Sequence, residues 1–122
     1  MAVNLQLAER LAPHEQEAVK SFLIRLRMTF PDRVLQAILF GSKARGDSHP
    51  DSDIDILLIV DSDEWRFQHA ISDVASDVSL EYGVLIGPRV IGQSHWEEMA
   101  RERFSLYENV AREGIPLALT PA

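Results

Sequence analysis

The sequence contains no cysteine and no apolar stretch long enough to span a membrane. Without cysteine the chain has neither a disulfide framework nor a thiolate metal site, and a reducing compartment is compatible with it. Charged residues interrupt every apolar run, and the N-terminal segment lacks the basic region followed by a continuous apolar stretch that marks a secretory signal. We therefore expect a soluble, cytoplasmic protein.

Positive charge is also scarce, because 12 Lys and Arg residues stand against 19 Asp and Glu residues, for a formal net charge of −7. A negative average field opposes non-specific binding to the phosphate backbone of DNA or RNA. The balance therefore disfavours a general nucleic-acid-binding protein. It leaves room for a small anionic ligand, since a divalent cation and a few local donors can reverse the potential at one site.

Internal repeats, low-complexity tracts and linkers rich in Gly, Ser or Pro are likewise missing, so no domain boundary is marked. The 122 residues, of which 46% are hydrophobic, suffice for one core and are too few for two. We expect a single domain over residues 1–122.

The periodicity of the apolar residues predicts a mixed α/β (α+β) fold in which helices cover a small sheet, in the order α-β-β-α-β-α. In chain order, the predicted elements are a helix between Pro13 and Phe30, a strand Val34–Phe40, a strand Asp53–Val60, a helix after Asp61, Ser62 and Asp63 that ends near Gly83, a strand Val84–Ile91, and a helix from Ser94 to Gly114. Asp61, Ser62, Asp63 and Ser94 are candidate helix caps. Pro88 predicts an edge position or a bulge for the third strand.

The chemistry is expected around two acids at the start of the second strand. Asp53 and Asp55 lie on one face of a strand, with Cα atoms roughly 7 Å apart, because side chains alternate between faces. Two ionised carboxylates on one face repel, and such a pair is normally kept only where a cation compensates it. Oxygen-only ligands favour a hard ion, Mg²⁺ or Mn²⁺, that completes its shell with water and substrate phosphates.

The preceding segment, residues 41–52 (GSKARGDSHPDS), has a turn-forming composition and is predicted to be a loop. In an antiparallel pair of strands, this loop begins beside the two acids. Gly41 would let a phosphate approach the backbone, and Ser42 offers a hydroxyl and an amide. Arg45 is a better candidate than Lys43 for a direct phosphate contact, and a solvated position is the alternative for both. Such a site suits in-line displacement at the α-phosphorus of a nucleoside triphosphate.

These residues bring the sequence close to a known family. The segments LFGSKARG (39–46) and SDIDI (52–56) resemble the GS-x10-DxD signature of the DNA polymerase beta-like nucleotidyltransferase superfamily. Within it the chain looks most like the minimal nucleotidyltransferases, and the tail YENVAREGI (107–115) is similar to their closing helix.

The resemblance implies the nucleotidyltransferase fold, with Gly41 and Ser42 binding the triphosphate of ATP and Asp53 and Asp55 as catalytic Mg²⁺ ligands. Many such proteins are antitoxins paired with a HEPN-domain ribonuclease, and some transfer AMP to a tyrosine of that toxin. A HEPN-type toxin is therefore the implied partner and acceptor.

One departure from the family pattern concerns the third carboxylate, which members usually carry on the strand after the second helix. Val84–Ile91 contains no acid, and neither Glu81 nor Asp61 is assigned the role. Three alternatives stay open: a slow transferase, a carboxylate supplied by the partner, or an inactive nucleotide-binding antitoxin that neutralises its partner by contact.

Two further patterns have alternative interpretations. Gly41 and Gly46 have the spacing of a Walker A loop, but Asp47 stands where its lysine would be needed, which disfavours a P-loop NTPase. Aromatic residues lie in the predicted helical stripes, where packing between helices is the default and, if exposed, binding of a partner or self-association is the alternative. These aromatic residues are Trp65, Trp96, Phe104 and Tyr107.

Overall fold

The structure is a computed structural model that describes residues 9–47, 49 and 52–119. Its helices and strands are, in chain order, α1 (Pro13–Thr29), β1 (Val34–Phe40), α2 (Gly41–Arg45), β2 (Ile54–Val60), α3 (Trp65–Tyr82), β3 (Ile86–Gly92), α4 (Gln93–Arg101), α5 (Ser105–Glu113) and β4 (Ile115–Leu117). In the described part of the chain, no helix combines the length and the apolarity needed to cross a bilayer.

The strands form one mixed sheet in the order β3-β2-β1-β4. β1 is antiparallel to both β2 and β4, whereas β2 and β3 are parallel. β3 is an edge strand, which confirms the prediction made from Pro88, since a proline cannot donate to a neighbouring strand. The predicted mixed α/β fold is confirmed.

β2 separates two apolar clusters because its side chains alternate between the faces of the sheet. Ile54, Ile56, Leu58 and Val60 belong to the larger cluster, which also contains buried residues of α1 and α3. Leu57 and Ile59 belong to the smaller cluster, beneath α4 and α5. By this alternation Asp55, the second residue of β2, lies on the face of the sheet that α4 and α5 cover.

The predicted loop at 41–52 is wrong for its first five residues, which form the short helix α2. A glycine with positive φ stands at each end: Gly41 at +75° and Gly46 at +81°. The backbone N–H of Gly46 donates to Ser42 O and Lys43 O, which ends the helix in the left-handed conformation that glycine tolerates. Residues 48, 50 and 51 of that predicted loop lie outside the described residues.

The predicted third helix is divided into α4 and α5, and Arg103, with φ of +54°, lies at the break. Trp96 of α4 and Tyr107 of α5 pack together, with ring centroids 5.0 Å apart. In one continuous helix these two residues would be about 16 Å apart, so the contact depends on the break. Phe104 is 45% exposed and Trp65 is 68% exposed, so neither is a core residue. The short strand β4 was not predicted.

The predicted helix caps are also wrong. The N-cap of α3 is Glu64 and that of α4 is Gly92, and neither helix has a side-chain cap hydrogen bond. Ser94 lies inside α4. The stability of these helices therefore depends on packing against the sheet more than on local capping.

Candidate functional site

The junction between β1 and β2 brings the predicted site residues together. Phe40, the last residue of β1, pairs with Asp55, so the Gly41–Ser42 turn begins beside the start of β2. This is the adjacency expected for an antiparallel pair. Asp53 is exposed and directly precedes β2, whereas Asp55 is half-buried within it. The N–H of Ile54, between the two acids, donates to Leu85 O at 2.8 Å and fixes the entry into the strand.

Two glycines flank the carboxylate of Asp55. A Cβ atom built on Gly41 would overlap Oδ2 and lie 3.2 Å from Cγ. On the other side Gly87 of β3 pairs with Asp55, and a Cβ there would lie 3.4 Å from Oδ1. Any side chain at position 41 would therefore displace the carboxylate, so backbone and acid approach each other here as closely as a glycine allows.

The pKa of Asp55 is shifted by its burial and by two neighbouring charges. Burial and, secondarily, the charge of Asp53 raise the pKa of Asp55, while Arg45 lowers it. Burial and the charge of Asp53 thus disfavour the ionised form of Asp55, and a cation held between the two carboxylates would favour it. An oxygen-only donor pair of this kind fits Mg²⁺, which keeps several waters and needs few protein ligands.

Among the described residues, no third carboxylate lies with Asp53 and Asp55. No group of three His, Cys, Asp or Glu side chains that could hold a metal ion occurs there. The strand position beside Asp55 is taken by Gly87. Glu81 forms an ion pair with Arg25, and Asp61 Oδ1 lies 3.2 Å from Arg33 Nε. Both acids thus have partners of their own, in agreement with leaving them unassigned.

Arg45 lies at the C-terminal end of α2 with its guanidinium exposed and held by two carboxylates. Its Nε is 3.2 Å from Asp47 Oδ2, and its Nη1 is 3.6 Å from Glu113 Oε2. The hydrogen bond and charge of Asp47, followed by Glu113, raise the pKa of Arg45. Sequence reasoning missed Glu113, because nothing in the sequence shows that α5 ends beside α2.

Lys43 is buried and points to α1. Its Nζ lies 2.7 Å from Glu15 Oε2 and donates to His49 O at 3.3 Å. This burial contradicts the solvated position that was one alternative for Lys43. Glu15 was also missed, since it looks like an ordinary acid in the first turn of a helix.

Comparison with known proteins agrees with the geometry. The family model described as nucleotidyltransferase domain matches residues 19–110, well over half of the chain. A protein of Methanocaldococcus jannaschii, named "Putative protein adenylyltransferase", is 37% identical over 101 residues, which are 83% of this chain and 95% of that protein.

Solved structures show the same fold. A toxin-antitoxin crystal structure with AMP-PNP matches with a TM-score of 0.58 and 18% identity over 88% of this chain and 73% of that chain. A structure described as "putative minimal nucleotidyltransferase" matches with a TM-score of 0.52 and 25% identity over 84% of this chain and 92% of that chain. On the family match, the identity to the archaeal relative and the shared fold, this chain belongs to the nucleotidyltransferase-domain family and is a nucleotidyltransferase.

Proposed function

We propose that the chain transfers AMP from ATP to a tyrosine hydroxyl of a HEPN-type toxin, and thereby acts as the antitoxin. The observation that carries the proposal is the contact between Gly41 and the carboxylate of Asp55, because it puts a side-chain-free turn beside an acid pair suited to a cation. The archaeal relative's name supports a protein acceptor, and the toxin-antitoxin structures support a toxin as the partner.

In the proposed reaction the acceptor oxygen forms a bond to the α-phosphorus as the bond to the bridging oxygen breaks, and pyrophosphate leaves. Gly41 and Ser42 bind the β- and γ-phosphates through backbone N–H groups and the serine hydroxyl. Arg45 neutralises part of the charge of the leaving pyrophosphate.

Asp53 and Asp55 would hold Mg²⁺ through their carboxylate oxygens. When bound, Mg²⁺ supplies charge neutralisation and orientation of the phosphates. Because the described residues place no third carboxylate beside Asp55, the tyrosine proton passes to water or to a group of the partner. We therefore expect a transferase that is slow with free tyrosine and faster with a docked protein acceptor.

Transfer of the α-phosphorus can be tested by incubating the protein and its partner with Mg²⁺ and ATP labelled at the α- or the γ-phosphate. We expect the partner to gain label from α-labelled ATP only, and mass spectrometry to place AMP on a tyrosine. A variant with both Asp53→Asn and Asp55→Asn should transfer none. Asp73→Asn with Asp77→Asn is the matched control, since it makes the same charge change on exposed positions of α3, whose core contacts lie on the other face of the sheet.

A contact antitoxin is the second candidate, and the lack of a third carboxylate among the described residues favours it. The two candidates differ in the behaviour of the double Asn variant. Neutralisation of the toxin by that variant, without nucleotide, would establish inhibition by contact and reject transfer as the antitoxin mechanism. Loss of neutralisation together with loss of label would support transfer.

A further inference from the structure

We propose that Glu15 and Lys43 form a positioning pair that holds α2, and with it the Gly41–Ser42 turn proposed to bind phosphate, and that Lys43 is not a phosphate ligand. The inference rests on the proposed function insofar as the ligand of the turn is a triphosphate. Its structural part concerns only how α2 is fixed, and it can be tested without nucleotide.

The first step is the burial of the pair. The side chains of Lys43 and Glu15 are only 4% and 8% exposed, with Nζ 2.7 Å from Oε2. Removing two charges from water is costly, and breaking such a pair leaves the remaining charge buried without compensation. If Lys43 rotated away from α1 to contact a phosphate, the carboxylate of Glu15 would be left buried without a compensating charge. Lys43 therefore stays with Glu15 when ligand binds.

The second step is what the two side chains connect. The other oxygen of Glu15, Oε1, accepts from the backbone N–H of Ala12 at 2.8 Å, so the glutamate is fixed at the start of α1. Lys43 Nζ also donates to His49 O at 3.3 Å, in the segment that leads to Asp53. The pair therefore joins the start of α1, the middle of α2 and the following loop.

A neighbouring cation strengthens the same attachment. Arg10 Nε donates to Ala44 O at 3.1 Å, and its guanidinium lies so close to Gly46 that a Cβ there would be 2.9 Å from Nη1. Glu15 and Arg10 thus bind α2 at Lys43 and Ala44, and Arg10 also lies against its C-cap, Gly46. The opposite end of α2 is Gly41, which contacts Asp55. Displacement of α2 would move the turn relative to the carboxylates.

The test measures amide hydrogen exchange at Gly46 and Asp47, whose N–H groups donate to Ser42 O at 3.0 Å and 3.2 Å. In the nucleotide-free protein we expect Glu15→Gln and Lys43→Met each to speed exchange at these amides by about 10-fold, because opening of α2 becomes easier. Glutamine retains the acceptor for Ala12, so Glu15→Gln removes the charge and keeps the cap. Exchange in β2 should not change.

The double variant and the control separate positioning from general destabilisation. Exchange at Gly46 in Glu15→Gln with Lys43→Met should be no faster than in either single variant, since both break the same interaction. The exposed pair of Arg25 and Glu81 provides the control, and Arg25→Met should leave exchange at Gly46 and Asp47 unchanged. If Lys43→Met does not fold, Glu15→Gln carries the test, and Lys43→Arg, which retains the charge, should keep most of the wild-type protection at Gly46 and Asp47.

Transfer kinetics and Mg-ATP binding give the functional readout. We expect kcat to fall by about 10-fold or more in both single variants and the Kd of Mg-ATP to change by less than about 3-fold. Weakened Mg-ATP binding in Lys43→Met together with normal binding in Glu15→Gln would overturn the inference, as would unchanged exchange in Glu15→Gln. A wild-type protein that transfers nothing would contradict the proposed function alone, because the exchange result does not depend on activity.

Discussion

Gly41 lies directly against the carboxylate of Asp55, and no side chain fits between them. Its φ of +75° adds a conformational requirement to the steric one. We expect Gly41→Ala to lower kcat/KM by about 100-fold or more, because the methyl group displaces an acid that the proposed reaction needs in place. It should also lower the melting temperature. Transfer kinetics and thermal unfolding measure the two effects.

Gly83 provides the matched control for this substitution. Its φ of +67° imposes a similar backbone strain, but a Cβ there would meet no described atom within 4 Å. Gly83→Ala should therefore cost about 1 kcal/mol of stability and leave transfer unchanged. Equal activity of the two alanine variants would show that the contact with Asp55 has no functional importance.

The ionised carboxylate of Asp55 is expected to destabilise the folded protein when no metal is bound. Burial, and then the charge of Asp53, raise its pKa above the ordinary value. A carboxyl group whose pKa is raised by folding contributes most favourably while protonated in both states, and that contribution is lost as the pH rises through the folded pKa. Asp55→Asn should therefore raise the melting temperature of the metal-free protein at neutral pH by a few degrees. This advantage should vanish below about pH 4.

Thermal unfolding with and without Mg²⁺ tests whether Asp55 is needed for metal binding. Added Mg²⁺ should stabilise the wild type and have little effect on Asp55→Asn, because binding to the native state alone raises its stability. Asp53→Asn should gain less stability, since Asp53 is exposed and its removal only relieves repulsion on Asp55. A lower melting temperature for Asp55→Asn at neutral pH would contradict this account of the charge.

How far the sequence predicts the fold depends on whether a signal is local. β1 is predicted with its observed bounds, Val34–Phe40, because a short apolar run flanked by turn residues is a local signal. β4 has only three residues and is stabilised by pairing with β1, so its cause lies outside its own segment. The break between α4 and α5 escapes a periodicity argument for a similar reason, because the contact of Trp96 with Tyr107 joins two separate helices and does not show in the spacing along the chain.

The same distinction holds at the site. The adjacency of Gly41 and Asp55 follows from an antiparallel connection between two predicted strands and is confirmed. The partners of the two cations on α2 could not be predicted. Glu15 and Glu113 come from α1 and α5, and their positions beside Lys43 and Arg45 are set by how those helices pack. The roles of the acids in metal binding and catalysis stay predictions.

We expect Glu113 to compete with a bound triphosphate for Arg45. Its carboxylate is 3.6 Å from Nη1, on a partly exposed pair. Removing the charge with Glu113→Gln should free the guanidinium for phosphate and lower the Kd of Mg-ATP by about 2-fold to 3-fold at low ionic strength. Titration calorimetry at low and high salt measures this. The gain should disappear at high salt, where exposed charges are screened.

Glu108 serves as the control, being an exposed acid on the same helix. Glu108→Gln makes the same change in net charge, so any effect of the average field appears in both variants. Weaker Mg-ATP binding in Glu113→Gln would mean that Glu113 orients Arg45 towards the ligand, and the competition account would be wrong.

Ser79 fixes the start of the strand that borders Asp55. Its buried hydroxyl donates to Ala75 O at 2.7 Å and accepts from the N–H of Ile86 at 3.0 Å. Ser79→Ala leaves that N–H without its acceptor, so we expect a loss of about 1–3 kcal/mol in the free energy of unfolding. Ser76→Ala, at an exposed position of the same helix, should stay within about 0.5 kcal/mol of wild type. Denaturant unfolding measures both.

Since β3 is parallel to β2 and pairs Gly87 with Asp55, Ser79→Ala should also speed amide exchange at Ile86 relative to the centre of β2. Uniformly faster exchange across the sheet would instead mean that Ser79 supports the whole fold and not this strand in particular.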